Sequence, residues 1–301
     1  MADLAIHTEQ LTKMYGKRRG LAGLDLSVDT GEVYGFLGPN GAGKTTTIRI
    51  LLDLIRPTRG SARVFGHDAQ ADSVLIKGLI GYLPGELALW NNLTGRQTLT
   101  YLGNLRGGVP RERVTTLAGR LDLDLSAKIR SLSKGNRQKV GVVQAFMHQP
   151  ELLILDEPTS GLDPLLQQTF LDMVRQARTA GQTVFMSSHV MSEVQQTADR
   201  VGIVREGVLV AVERVEDLRE RGVRRVEIHF EDPVSVEEFA ALPGVSDVTV
   251  TDTVLRARLD GRADPLVKAA AKHTVIGLLS EEPDLEELFV TYYRGAPDDA
   301  A

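Results

Sequence analysis

The sequence predicts an α/β fold, a mostly parallel sheet with helices packed on it over the first ~215 residues, followed by a small α+β unit. Three observations carry this. Short apolar runs of strand length alternate with longer amphipathic stretches. A glycine-rich turn stands directly between one such run and a helical stretch. After Leu218 the pattern changes to short strands and short helices in the order β-α-β-β-α-β.

Taken in order, "EVYGFLG" (Glu32 to Gly38), "LLILD" (Leu152 to Asp156) and "TVFMSS" (Thr183 to Ser188) read as buried strands, being apolar and bounded by turn or charged residues. "RVGIVREGVLVAV" (Arg200 to Val212) reads as a hairpin turning at Glu206-Gly207. Leu87 to Met147 reads as an inserted helical subdomain. Residues 1–218 are thus expected as one domain, 219–225 ("RERGVRR") as a basic, Gly-containing linker and 226–295 as a ferredoxin-like domain. In that second domain "RRVEIHF", "VSDVTVT", "VLRARL" and "TVIGLLS" are the expected strands, and "SVEEFAAL" and "DPLVKAAAKH" the helices. "DLEELFVTYY" is expected as a last helix and "GAPDDAA" as a frayed tail.

With 301 residues, 42% of them hydrophobic and 25% charged, the chain is long enough for two globular domains. A net charge of -5 gives no basic footprint for nucleic acid. There is no cysteine, which excludes disulfides, thiolate metal sites and thiol catalysis and fits a reducing cytoplasm. The opening "MADLAIHTEQ" lacks the basic leader and apolar core of a signal peptide. No apolar run approaches the ~20 residues that cross a bilayer. The expectation is a chain soluble by itself, with any membrane role supplied by a partner.

Chemistry concentrates in three places. The first is Gly38-Pro39-Asn40-Gly41-Ala42-Gly43-Lys44-Thr45, a full G-x-x-x-x-G-K-[ST] between a strand and a helix. Its glycines let several backbone amides point inward at a β-phosphate. Lys44 reaches the β- and γ-phosphates, the Thr45 hydroxyl binds Mg²⁺, and Thr46 reaches the α-phosphate. The second is the end of "LLILDEP", where Asp156 suits the Mg²⁺ shell and Glu157 the base that orients water for attack on the γ-phosphate. The third is "SLSKGNRQKV" (Ser131 to Val140), a helix front with capping serines, Gly135 and a basic first turn. Free amides and the positive dipole end make it a second anion site.

In these motifs the chain resembles the nucleotide-binding subunit of ATP-binding cassette (ABC) transporters, over about Leu4 to Leu218. The motifs stand in family order: an aromatic at Tyr15, the phosphate loop, "IGYLPGE" at the glutamine loop, the signature "LSKGN", "LLILDEP", "SGLD" at Ser160 to Asp163, and His189 in "SSHV". The resemblance implies an ATPase that uses ATP and Mg²⁺ and works as a head-to-tail pair of copies. Tyr15 would stack on adenine, and His189 would hold the γ-phosphate and attacking water. Asp163 would lie at the dimer seam. Ser133, the Gly135 amide and Asn136 would meet the ATP of the partner copy, which explains the second anion site.

The chain departs from the family pattern twice. Gly85 stands where the family has glutamine, and Glu86, next in line, is a candidate to enter the metal shell in its stead. The signature has Lys134 and Asn136 where glycine and glutamine are usual. The small C-terminal domain resembles that of bacterial drug and antibiotic exporters of the daunorubicin-resistance type. This implies a separate integral-membrane permease as partner, a place at the cytoplasmic face of the cell membrane, and no nucleic acid. The stretch around Trp90 would accept a coupling helix from that permease. Lipid or polysaccharide export is the near alternative. ABC ATPases of ribosomes or DNA repair are a different class, disfavoured by the single phosphate loop and the acidic balance.

Overall fold

The computed structural model describes residues 3–221 and 223–281. They form two compact units that divide between Val212 and Glu213. The central layer of the first is a sheet of order β10-β9-β3-β8-β7-β6. Its strands are β3 (Val33–Leu37), β6 (Ile80–Leu83), β7 (Leu152–Asp156), β8 (Thr183–Ser188), β9 (Arg200–Arg205) and β10 (Val208–Arg214). From β9 through β6 every neighbouring pair is parallel. Every residue of β3, β7 and β8 is buried, the mark of parallel strands covered on both faces and the reason they read as unbroken apolar runs. Glu206 and Gly207 both have positive φ in the turn between β9 and β10.

A second sheet went unread in the sequence. It has the order β2-β1-β4-β5, from β1 (Leu4–Tyr15), β2 (Arg18–Asp29), β4 (Arg59–Val64) and β5 (His67–Asp68). Register shifts along β1 break the alternation that would have announced it. Its inward side chains, among them Ile6, Leu24, Leu26 and Val64, share one core with Tyr34, Phe36, Ile154 and Phe185 of the central sheet. Helices α1 (Lys44–Leu51) and α2 (Ser73–Leu79) complete this part.

The region from Leu87 to Met147 is helical only from Gly95 onward. It contains α3 (Gly95–Asn104), α4 (Arg111–Arg120) and α5 (Lys134–Phe146), with a 3₁₀ turn at Ile129–Ser131. Thr94 starts α3 through a capping box with Gln97, so the Pro84 to Leu93 segment ahead of it is irregular. Later, α6 (Pro164–Thr179) and α7 (Met191–Thr197) follow β7 and β8.

The expected linker at 219–225 is corrected by the structure. Its first residues end α8 (Val215–Arg221), and Arg224 and Arg225 begin β11 (Arg224–Phe230). The acidic first turn of "VEDLRER" favours a helix, and the two-residue alternation of "RRVEIHF" extends back to its arginines. Likewise the division falls inside β10 and ahead of Leu218, since helix α8 continues through that residue.

The second unit adds α9 (Val236–Ala240), β12 (Val245–Thr251), β13 (Val254–Leu259), α10 (Asp264–Ala270) and β14 (Val275–Glu281). Its sheet order is β12-β13-β11-β14, antiparallel throughout. Ile228, Phe230, Phe239, Leu255 and Leu259 form a separate core. The expected helix from Asp284 to Tyr293 and the tail after it lie outside the described residues.

Candidate functional site

Strands β3, β7 and β8 run side by side in one direction, so their C-terminal ends open on one edge, where α/β sheets bind ligands. After β3 the chain turns at Gly38 to Gly43 and enters α1 at Lys44. Gly43 caps α1 with φ 115, and a Cβ there would stand 2.7 Å from Leu21 Cδ2 and 2.9 Å from the Gly20 carbonyl oxygen. A Cβ on Gly38 would approach the Val204 carbonyl oxygen to 2.4 Å. Only glycine fits either position, so the loop packs tightly against β2 and β9 as it turns into α1.

Lys44 is buried, with its ammonium held by the Gly38 carbonyl at 2.6 Å, the Pro39 carbonyl at 3.4 Å and Glu157 Oε1 at 3.2 Å. The other carboxylate oxygen of Glu157, Oε2, is 2.6 Å from His189 Nδ1. Glu157 therefore bridges the loop lysine and the histidine after β8. Its backbone has φ 48, a conformation a glutamate adopts only when its surroundings enforce it. The enforcement is visible in part: the Glu157 amide donates to the Ser187 carbonyl at 3.2 Å and the Ser187 hydroxyl at 3.3 Å.

Asp156, also buried, accepts from the Ser187 hydroxyl at 2.6 Å and from the Thr45 hydroxyl at 3.3 Å, both on Oδ1. Thr45 and Asp156 thus present hard oxygen donors side by side. Among the described residues no group of three or more His, Asp or Glu side chains could hold a metal ion. The pair fits Mg²⁺, which is bound by one or two protein oxygens together with substrate phosphates and water.

A cleft of about 440 Å³ is lined by Pro39, Asn40, Gly41, Gly43, Lys44, Thr45, Thr46, Glu157 and Tyr15. Gly38 and Ala42 stand behind this lining, and Ala42 is 3% exposed. Arg18, Arg19 and Gly20 also line the cleft and were missed in the sequence. Cross-strand pairing of Tyr15 with Arg18 through the Gly16-Lys17 turn is what brings the arginines there, a signal readable once the hairpin is known.

The remaining candidates lie elsewhere. Ser133 N-caps α5, its hydroxyl accepting from the Asn136 amide at 3.2 Å. Ser131 instead donates to the Lys128 carbonyl at 2.7 Å. Ser133, Gly135 and Asn136 do not line the cleft that holds Lys44. Asp163 is exposed and N-caps α6 by accepting from the Leu166 amide at 3.0 Å. Glu86 is exposed and absent from the cleft lining. It is Gly85 that faces the carboxylate: a Cβ there would stand 3.6 Å from Asp156 Cγ and Oδ2.

Comparison with known proteins agrees with this geometry. The ABC transporter family model matches residues 21–160. A bacitracin transport ATP-binding protein of Enterococcus faecalis is 35% identical over 84% of this chain and 84% of its own length. A linearmycin resistance ATP-binding protein of Bacillus subtilis (strain 168) is 33% identical over 95% of this chain and 97% of its own. A daunorubicin resistance ATP-binding protein of Streptomyces coeruleorubidus is 36% identical over 96% of each. A solved ATP-binding subunit of an ABC transporter is 28% identical, with a TM-score of 0.66 over 71% of this chain and 92% of that one. A dimeric ATP-binding cassette in a post-hydrolysis state with ADP and Pi is 21% identical and shares the fold, with a TM-score of 0.64 over 70% of this chain and 98% of that one. From its loop, its paired acids and these relatives, the chain belongs to the ABC transporter ATP-binding family.

Proposed function

We propose that this chain hydrolyses ATP to power efflux of drugs or antibiotics through a separate membrane permease. One observation carries the catalytic part: Glu157 bridges Lys44 and His189 at the strand ends, 3.2 Å from the ammonium and 2.6 Å from the imidazole. Both carboxylate oxygens are engaged, one by the lysine and one by the histidine. Entry of a triphosphate gives Lys44 a stronger partner and frees Oε1, while His189 keeps Oε2 oriented. Water then attacks the γ-phosphorus, Glu157 takes its proton, and the bond to the β–γ bridging oxygen breaks with its electrons leaving on ADP. Tyr15 stacks on adenine, Thr46 reaches the α-phosphate, and His189 also contacts the γ-phosphate. Thr45 and Asp156 would hold Mg²⁺, which would supply neutralisation of phosphate charge. Glu86, exposed and next to the Gly85 that faces Asp156, is a candidate further ligand.

The signature residues do not line their own loop's cleft, which supports a pair of copies sharing each ATP. Ser133, Gly135 and Asn136 of one copy close on the γ-phosphate in the other, with Asp163 at the seam. Nucleotide joins the pair and hydrolysis releases it.

No helix among the described residues is long and apolar enough to cross a membrane. We infer from the relatives' names as transport and resistance ATP-binding proteins that the chain works at the cytoplasmic face of a membrane through the permease. A groove of about 370 Å³, lined in part by Leu54, Tyr82, Leu87, Trp90 and Leu102, suits an apolar coupling helix from that partner. Trp90 is 49% exposed, packed edge-on against Tyr101 with centroids 5.1 Å apart. The names of the bacitracin, linearmycin and daunorubicin relatives support antibiotics as cargo.

The test is to purify a tagged copy from membranes and identify what accompanies it, then measure drug export with and without Glu157→Gln. A multi-spanning protein and export lost in the variant are expected. Ribosomes or DNA as companions, or export unchanged, would overturn the reading.

A further inference from the structure

Behind Glu157 and His189 lies an acid that the scheme above does not use. Glu193, on α7, is only 7% exposed. Its Oε1 accepts from the Thr159 hydroxyl at 2.6 Å, in the turn that follows Glu157. Its Oε2 accepts from the Ser188 hydroxyl at 3.1 Å, the residue that precedes His189. The Ser188 oxygen in turn accepts from the Val190 amide at 2.9 Å, on the other side of the histidine. One carboxylate therefore fastens the chain after Glu157 to the chain on both sides of His189.

A buried carboxylate costs several kcal/mol of desolvation, and an apolar residue there would fill the same space without that cost. Burial pushes the Glu193 carboxyl above its ordinary value, while the two hydroxyl donors pull against the rise. What the costly group supplies is position. Glu157 has φ 48 and holds that conformation only because its flanks are fixed. On the far side of the same turn, Gln138 of α5 donates to the Pro158 carbonyl at 3.0 Å. The turn is thus held from the signature helix by Gln138 and from the histidine segment by Glu193.

We infer that Glu193 is a positioning residue for ATP hydrolysis, fixing the Glu157–His189 contact by fastening Thr159 and Ser188 to one buried carboxylate. This rests on the reading of Glu157 and His189 as the groups that handle the attacking water. Removing the carboxylate frees two hydroxyls and lets the turn and the histidine segment drift separately. A drift approaching 1 Å costs about 10²-fold in turnover. Glu193, Thr159 and Ser188 do not themselves line the cleft that binds the triphosphate, whose phosphate loop is held by other contacts.

The experiment compares full-length Glu193→Ala, Glu193→Gln and Thr159→Val, reading steady-state ATPase rate and equilibrium Mg-ATP binding separately. The expected split is kcat lowered about 10²-fold in Glu193→Ala with ATP affinity nearly unchanged. Glu193→Gln, which keeps the shape and one carbonyl acceptor, falls between. Should Glu193→Ala not fold, Thr159→Val removes a single donor and shows the same split in smaller measure. Full turnover in all three overturns the inference. So does ATP affinity falling in step with turnover, the signature of general structural damage. Glu157→Gln is run beside them: retained turnover there refutes the base itself. Turnover lost in that variant but intact in the Glu193 and Thr159 variants refutes the positioning role alone.

Discussion

Gly135→Ala is a sharp probe of the signature helix, because one methyl group meets backbone and nothing else. Gly135 stands in the first turn of α5, and a Cβ on it would lie 2.6 Å from the Gly161 carbonyl oxygen. Ordinary contact begins at 3.4 Å, so about 0.8 Å of separation must be found between the signature helix and the Ser160–Asp163 turn. Neither side yields cheaply. Gly161 has φ 81, a Cβ on it would meet the Lys134 side chain at 3.7 Å, and Leu162 beyond it is 7% exposed. Overpacking of this kind costs about 1–3 kcal/mol, more than the roughly 0.5–1 kcal/mol that alanine gains over glycine in a helix. The chain stays folded, while Ser133, Asn136 and Asp163 move relative to one another by most of an ångström. If those residues meet a nucleotide shared between copies, turnover falls about 10²-fold. Light scattering in the Glu157→Gln background would show a weakened ATP-dependent dimer. Wild-type turnover together with an unchanged dimer would refute the reasoning.

Other expectations are simpler. Gly119, exposed on α4 with nothing within 4 Å of an added Cβ, is the matched control: Gly119→Ala should raise stability by about 0.5–1 kcal/mol in denaturant titrations and leave ATPase activity alone. A loss of stability there would mean that α4 carries an unseen constraint. His148 is held down to about 4 by burial and then by the charges of Arg106 and Arg113, from an ordinary value of 6.5. It is neutral when folded and protonated when unfolded between those values, so stability falls as pH drops through that window and levels off below it. After a discount for its partial exposure the effect is about 2 kcal/mol, and His148→Gln should flatten the slope measured between pH 7 and 4.5. Equal slopes in both proteins would exclude His148 as the source. Phe239 is fully buried, with its ring 5.8 Å from that of Phe230 and 6.1 Å from that of His273. Phe239→Ala should cost the second unit about 3–5 kcal/mol, read as hydrogen exchange that accelerates in β11 to β14 first. Uniform acceleration across both units would contradict a separate core.

What could be read from the sequence was what is contiguous. The phosphate loop, the acids after "LLILD" and the serine-capped signature helix are local patterns, and their chemistry follows from residue types a few positions apart. β3, β7 and β8 announced themselves because strands buried on both faces need apolar residues at every position. The second sheet was hidden by the register shifts of β1, and with it the pairing of Tyr15 and Arg18 that carries basic side chains to the cleft. The irregular stretch from Leu87 to Leu93 reads as part of the helical region because nothing before the Thr94 cap marks the helix start strongly. The 219–225 stretch looked like a linker on composition, while the alternation beginning at Arg224 belonged to a strand. Contacts such as Thr159 and Ser188 with Glu193 join residues 34 and 5 positions apart, so the first of them is visible only in three dimensions.

The central claim is that ATP holds two copies of this chain together, clasped between the phosphate loop of one and the signature helix of the other. Multi-angle light scattering of Glu157→Gln in saturating Mg-ATP, alone and with the permease present, tests it directly. A doubled mass that collapses when ATP is withdrawn is the expected result. A single copy under every one of those conditions would contradict it.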